Sequence, residues 1–165
     1  MSESIRLAAG ELCIDFVRET DRYRHEVLVF AGKEPLRLLG SVEGTADDDW
    51  PASPPLQDLH VEHRGANSRV ALLIGRAGRS HWSLSVEADA SRGMLLFDAA
   101  CRTPATDDCL RSSYQLLANS APAVFPVGNT IPLTSDCRLQ IVDGRIHLDP
   151  DGHSFKVAPR APDAR

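Results

Sequence analysis

The stretch from Val70 to Cys101 reads VALLIGRAGRSHWSLSVEADASRGMLLFDAAC, and it indicates the architecture of the chain more clearly than any other segment. Apolar residues alternate with other residues in three runs along it, which is the period of a strand with one buried face. The alternating residues are Val70, Leu72 and Ile74, then Trp82, Leu84 and Val86, then Leu95, Phe97, Ala99 and Cys101. The stretch therefore predicts three consecutive strands.

Two turns join these strands and predict how they pair. Folding about residues 88–93 sets Val86 against Leu95, Leu84 against Phe97 and Trp82 against Ala99. Folding about residues 76–80 sets Ile74, Leu72 and Val70 against Trp82, Leu84 and Val86. Because a slip of one residue would turn a whole strand to the other face, the agreement of both turns predicts an antiparallel meander with one buried face.

Similar alternation predicts strands in the rest of the chain. They lie near residues 12–17, 23–30, 36–43 and 59–64, and the Asp143-Gly144 dipeptide predicts a tight hairpin between 139–142 and 145–148. Residues 107–117 fit either a strand or a short helix. In total, about nine or ten antiparallel strands predict an all-β fold, as an up-and-down or strongly curled β-barrel or, alternatively, a β-sandwich. We expect one β domain over residues 1–155 and a flexible tail over residues 156–165.

Composition narrows the function classes. The chain has 165 residues and a formal net charge of -5, which weighs against nucleic acid as a partner. No apolar run approaches the roughly 20 residues of a membrane helix, and residues 1–10 lack the pattern of a secretory signal. We therefore expect a cytoplasmic protein that does not bind a membrane.

The second face of the predicted meander mixes polar and apolar side chains. One strand carries His81, Ser83, Ser85 and Glu87 there, and the next carries Met94, Leu96, Asp98 and Ala100. The predicted register sets Ser83 opposite Asp98, but a flat ladder offers neither the sharp turn nor the oxyanion site that a nucleophile needs. A mixed face is typical of a ligand-lined interior, a subunit interface or a surface covered by a loop.

Trp50 lies in a loop predicted over residues 44–57, in which three prolines exclude a ladder strand and a helix interior. We expect Trp50 to anchor this loop on the body of the protein, where it would cover the mixed face. The residues that we expect to bind a ligand or form an interface are Trp50, His81, Ser83, Glu87, Met94, Leu96 and Asp98.

Two further patterns contain side chains that could bind an ion. On a strand, His60 and Glu62 point to the same face, so they can supply two ligands to a metal ion, with His81 as a third. The alternative is the solvated polar face of an antiparallel strand. The turn at residues 75–79 carries Arg76 and Arg79, which can meet an anion, although the turn lacks the context of a phosphate-binding loop.

These observations predict a non-enzymatic binding or interaction module that forms a homo-oligomer, and they identify no catalytic group and no cofactor. One alternative is a carrier of calycin-like shape that binds a small apolar molecule between its strands. The other is a metal-dependent enzyme that uses His60, Glu62 and His81.

Overall fold

The computed structural model describes residues 3–30, 33–43, 53, 55–102, 112–116, 139–142, 145–148 and 151–157. These residues form twelve strands and no helix. The strands are Ser4–Ala9 (β1), Leu12–Glu19 (β2), Arg22–Val29 (β3), Leu36–Ser41 (β4), Leu56–His63 (β5), Ser68–Ala77 (β6), Ser80–Asp89 (β7), Met94–Arg102 (β8), Ser112–Leu116 (β9), Leu139–Val142 (β10), Arg145–Leu148 (β11) and Asp151–Val157 (β12).

The strands form two antiparallel sheets. The first sheet has the order β1-β2-β3-β4-β9-β11-β10, and the second has the order β12-β8-β7-β6-β5. A meander of four consecutive strands is the basis of each sheet, β1 to β4 in the first and β5 to β8 in the second. The prediction of an all-β, antiparallel chain is confirmed. Within the described ranges, no helix is long and apolar enough to cross a membrane.

One hydrophobic core draws side chains from both sheets. Its largest fully buried members include Phe16 and Tyr114 from the first sheet and Leu73, Leu95 and Phe97 from the second. Along β2, β7 and β8 the buried residues alternate with more exposed ones over most of each strand, because successive side chains of a strand point to opposite faces. Each sheet therefore has an inner face toward the core and an outer face.

The pairing of β6 with β7 differs from the predicted one by one residue. Leu73 lies opposite Leu84 and Ile74 lies opposite Ser83, because the turn consists of two residues between Ala77 and Ser80. The prediction took a longer turn and set Ile74 against Trp82, which is wrong. The one-residue shift turns Leu73 toward the core and leaves Ile74 on the outer face, 56% exposed.

The pairing of β7 with β8 differs from the predicted one by two residues. Val86 lies opposite Phe97 and Leu84 lies opposite Ala99, so the predicted partners were wrong. The reason is again the turn, in which the Asp89 carboxylate accepts hydrogen bonds from the backbone N–H groups of Ser91 (2.9 Å) and Arg92 (3.2 Å). Because the shift is an even number of residues, each side chain keeps its predicted face.

Sequence reasoning missed two strands. In β1, Ile5, Leu7 and Ala9 point inward, and β1 pairs with β2 across a turn that contains Gly10 at φ 65°. The sequence predicts no strand after residues 145–148, yet β12 follows and pairs with β8. β12 runs to Val157, two residues into the expected tail, while residues 158–165 lie outside the described part of the chain.

The pairings predicted in the first sheet are found in part. The β10–β11 hairpin has the predicted register, with Ile141 opposite Ile146, and the segment left open between strand and helix contains β9. For the strands near residues 23–30 and 36–43, the alternation predicts Val29 opposite Leu36 and Val27 opposite Leu38. Val29 does lie opposite Leu36. Val27 lies opposite Leu39 instead of Leu38, because an irregularity of the β3–β4 ladder shifts the register between Val27 and Leu28.

Candidate functional site

A groove of about 510 Å³ lies on the outer face of the second sheet, beside the turn between β6 and β7. Its volume is in the range of sites that bind small molecules or the side chains of a partner. The side chains that matter for its chemistry are Asp58, Ile74, Arg76, His81, Ser83 and Arg102. They come from four adjacent strands of one sheet, so the groove is part of a sheet surface and not of the core.

Three basic side chains cross the groove in a single row. Arg76 of β6 lies opposite His81 of β7, which in turn lies opposite Arg102 of β8. Neighbouring strands are about 4.8 Å apart, so this basic row spans about 10 Å. All three residues are exposed, and none forms an ion pair with a carboxylate in the described part of the chain.

Local contacts position Arg76 at the wall of the groove. Its Nε donates a 3.1 Å hydrogen bond to the carbonyl oxygen of Gly78, and its backbone N–H donates a 3.2 Å hydrogen bond to Oε1 of Gln57. The first contact uses one guanidinium nitrogen and leaves the two terminal nitrogens for other partners. Arg76 is therefore already oriented before a ligand binds. Less side-chain conformational entropy is then lost on binding.

A close backbone contact shapes the wall beside Arg76. A Cβ atom at Gly75 would lie 1.7 Å from the carbonyl oxygen of Pro55, so only glycine allows the chain at Pro55 and Leu56 to pass this close. The β5–β6 ladder shifts register between Leu56 and Asp58 at the same place. This irregularity brings Asp58 opposite Ile74 at the rim of the groove.

Ile74 gives the groove an apolar component. Among the described residues it is the one large hydrophobic side chain that is exposed, with 56% of its surface accessible to solvent. It lies next to the basic row, opposite Ser83, which itself lies opposite Ala100. An apolar side chain beside three basic ones suits a partner that offers both an acidic group and an apolar contact.

The charge on this outer face changes along the strands. Val70 lies on β6 six residues from Arg76, which corresponds to about 20 Å along the strand. It lies between Glu62 of β5 and Glu87 of β7. The Glu87 carboxylate accepts a 2.6 Å hydrogen bond from Oγ of Ser68. We call Glu62 and Glu87 the acidic end of the face, opposite to the basic row.

The outer face gathers most of the predicted site residues. His81, Ser83, Glu87, Met94, Leu96 and Asp98 all alternate onto it. The partners differ from the predicted ones, since Ser83 lies opposite Ala100 and Asp98 lies opposite Ser85. Met94 and Leu96 are half-buried, whereas Ser83 and Asp98 are exposed. Trp50 lies outside the described residues.

The three predicted metal ligands are not brought together. His60 and Glu62 share the outer face of β5, as the strand period predicts. His81 lies two strands away and four residues further along, since His60 pairs with Leu72 and Leu72 pairs with Ser85. That offset corresponds to roughly 16 Å. In the described ranges, no group of three or more His, Cys, Asp or Glu residues is placed to hold a metal ion.

Sequence reasoning missed a buried polar pair in the core. His25 is 4% exposed, and a 2.8 Å hydrogen bond joins its Nε2 to Oη of Tyr114. Its ring lies 5.6 Å from that of Phe16 and 6.4 Å from that of Phe97, while its Nδ1 has no hydrogen-bond partner among the described residues. Burial lowers the pKa of His25 to about 4, so the ring is neutral at neutral pH.

Ser41 connects His25 to a buried carboxyl group. The backbone N–H of His25 donates a 3.0 Å hydrogen bond to Oγ of Ser41, which donates a 2.5 Å hydrogen bond to Oε1 of Glu43. Burial raises the pKa of Glu43 above its usual value. The His25 ring is enclosed by core side chains, so this cluster acts on stability and does not offer a surface to a ligand.

Comparisons with protein-family models, curated proteins and solved structures find no match to this chain. The outer face of the second sheet is where basic groups without an ion-pair partner among the described residues, an apolar side chain and a groove coincide.

Proposed function

We propose that the protein is a non-enzymatic interaction module, and that it binds an acidic group of a partner on the outer face of its second sheet. One observation carries the proposal: Arg76, His81 and Arg102 form an exposed row without a carboxylate partner in the described part of the chain, although the chain carries a net charge of -5. An acidic protein that keeps such a row unpaired has a surface suited to an anionic group.

The chemistry of the row supports a carboxylate as the bound group. A guanidinium presents paired N–H donors that match a carboxylate in a bidentate geometry, and such charge-assisted hydrogen bonds are stronger than neutral ones. Ile74 adds an apolar contact directly beside the row. The groove lies on a sheet surface, which suits the side chains of another protein better than full enclosure of a small molecule.

The packing of the core favours this proposal over a carrier with its ligand between the sheets. Phe16, Phe97 and Tyr114 fill the space around His25, with Phe97 and Tyr114 6.1 Å apart in an edge-to-face arrangement. For the same reason we favour the β-sandwich over a closed barrel. In the described ranges every strand pairing lies within one sheet, and side chains of both sheets meet in one core.

Binding of a fluorescent oligoglutamate peptide, followed by fluorescence anisotropy at low salt, tests the proposal. We expect wild-type protein to bind it, and an Arg76→Ala/Arg102→Ala variant to bind at least about tenfold more weakly, because the paired donors are lost. Lys33→Ala is the matched control, since Lys33 is also exposed but lies in the chain before β4. An oligolysine peptide of the same length controls for non-specific adhesion.

The salt dependence gives a second criterion in the same assay. Added salt should weaken binding to the wild type strongly, because exposed charges are screened within about 10 Å at 0.1 M ionic strength. Equal binding by the wild type and the double variant, or no binding by the wild type at a concentration at which it is monomeric, would refute the proposed function.

A further inference from the structure

The outer face of the second sheet is complementary to itself in charge. Its basic row, formed by Arg76, His81 and Arg102, lies about 20 Å along the strands from its acidic end, formed by Glu62 and Glu87. Ile74 is exposed and lies between the two ends, on the same outer face of the sheet. A surface with opposite charges at its two ends matches a copy of itself turned by 180°.

We propose that the partner is a second copy of this chain, packed face to face about a twofold axis, so that the basic row of each copy lies against the acidic end of the other. The inference rests on the proposed function, because it names the partner that the same face binds. In this arrangement Glu62 and Glu87 supply carboxylates to Arg76 and Arg102, which form no ion pair with a carboxylate among the described residues. Glu62 would exchange its exposed 3.7 Å pair with Arg64 for this contact, and Glu87 would keep its hydrogen bond from Ser68.

Geometry supports a twofold axis that lies in the interface and runs across the strands. Rotation about such an axis reverses the direction along the strands and keeps the position across the sheet. His81 and Glu87 belong to the same strand, β7, so the rotation brings His81 of one copy toward Glu87 of the other. The central part of each face then meets its own equivalent, which covers Ile74 in both copies.

The area of the face is sufficient for a specific dimer. Four strands about 4.8 Å apart and about eight residues of 3.3 Å give a projected area of about 500 Å² per copy. Two copies together cover about 1,000 Å², which is the least area expected of a biological interface and is typical of a weak, reversible one. The mixture of charged ends and an apolar centre is also the usual composition of a non-obligate interface.

Sedimentation equilibrium of the full chain at low salt, with complementary charge-reversal variants, tests the inference. The basic-row reversal is Arg76→Glu/Arg102→Glu, and the acidic-end reversal is Glu62→Lys/Glu87→Lys. We expect the wild type to be a dimer and each reversal alone to be a monomer, because like charges then face each other. An equimolar mixture of the two reversals should restore a heterodimer, detected by a mass tag on one of them.

Two further variants control for misfolding and for changes in net charge. Ile74→Ser removes the apolar centre without a charge, and we expect it to weaken the dimer by about tenfold or more. Lys33→Glu changes the charge of the chain elsewhere on the surface and should leave the dimer intact. The recovery of a dimer in the mixture shows by itself that both reversal variants are folded.

The outcomes separate this inference from the proposed function. A wild type that stays monomeric, or reversal variants that stay dimeric, would overturn the inference. If the monomeric wild type still binds oligoglutamate through Arg76 and Arg102, the proposed function stands and only the identity of the partner was wrong. If the monomeric wild type does not bind the peptide, both the inference and the proposed function are wrong. A Glu62→Gln/Glu87→Gln variant removes the acidic end without adding a positive charge, so it should bind oligoglutamate at least as tightly as the wild type does.

Discussion

Acid should destabilise this protein through His25, and the structure sets the size of the effect. His25 is fully buried, and burial lowers its pKa from 6.5 to about 4. The unfolded chain therefore takes up a proton at a higher pH than the folded chain does. The stability that comes from keeping the ring neutral is fully present above pH 6.5, falls as the pH decreases, and is lost at about pH 4.

The magnitude follows from the distance between the two pKa values. A difference of about 2.5 corresponds to about 3 kcal/mol, at 1.36 kcal/mol for each unit of pKa. That is a large part of the roughly 5–15 kcal/mol that holds a small domain folded. Glu43 acts in the opposite direction, because burial raises its pKa, so its contribution is lost as the pH rises through the folded value.

Urea unfolding of the wild type and of His25→Phe between pH 7.5 and pH 4 isolates the histidine. Phenylalanine keeps a ring between Phe16 and Phe97 but does not titrate. We expect the free energy of unfolding of the wild type to fall by about 3 kcal/mol relative to the variant over this range. Glu43→Gln, which removes the opposing carboxyl group, should retain the fall. Parallel pH profiles for the wild type and His25→Phe would show that His25 does not cause the loss of stability.

The register and the groove wall lead to two further predictions for chemical denaturation. At high salt, where the chain is monomeric, Leu73→Ala should cost about 2–5 kcal/mol because Leu73 is fully buried, whereas Ile74→Ala should cost less than about 1 kcal/mol. Equal losses would contradict the observed register. Gly75→Ala should cost at least about 3 kcal/mol because its Cβ would overlap the carbonyl oxygen of Pro55. Gly78→Asn is the control, because Gly78 has φ 56° and open space around it, and it should cost less than about 1 kcal/mol. A loss of stability in Gly75→Ala as small as that of Gly78→Asn would disprove the close contact at Gly75.

The sequence predicted the faces of β7 and β8 better than the partners of their residues. Alternation specifies which side chains point inward, and it is unambiguous in β7, where Trp82, Leu84 and Val86 are buried. In β6 the run from Val70 to Ile74 is apolar throughout, so alternation cannot choose a face. The choice is made by the length of the next turn, two residues instead of five, which shifts the ladder by one residue.

The candidate site could be predicted only in part, because it depends on pairing between strands. Arg76 is noticeable in the turn sequence, but Arg102 joins the row only through the β7–β8 register. The contact of His25 with Tyr114 joins residues 89 positions apart, on strands that belong to one sheet without following each other. Local patterns carry no information about such pairs. His25 alternates in phase with Tyr23 and Val27, and this signal, which the sequence analysis did not use, could have shown that the histidine faces inward.

We propose above all that the outer face of the second sheet binds an acidic partner through Arg76, His81 and Arg102. Chemical-shift mapping of a ¹⁵N-labelled Glu62→Gln/Glu87→Gln variant, titrated with oligoglutamate, tests this proposal, because the variant leaves the basic row free and adds no positive charge to the face. We predict that the shifts cluster at β6, β7 and β8 around these three residues, and that the Arg6–Asp15 pair on the first sheet does not respond. Shifts that cluster on the first sheet, or that spread without a focus, would contradict the account.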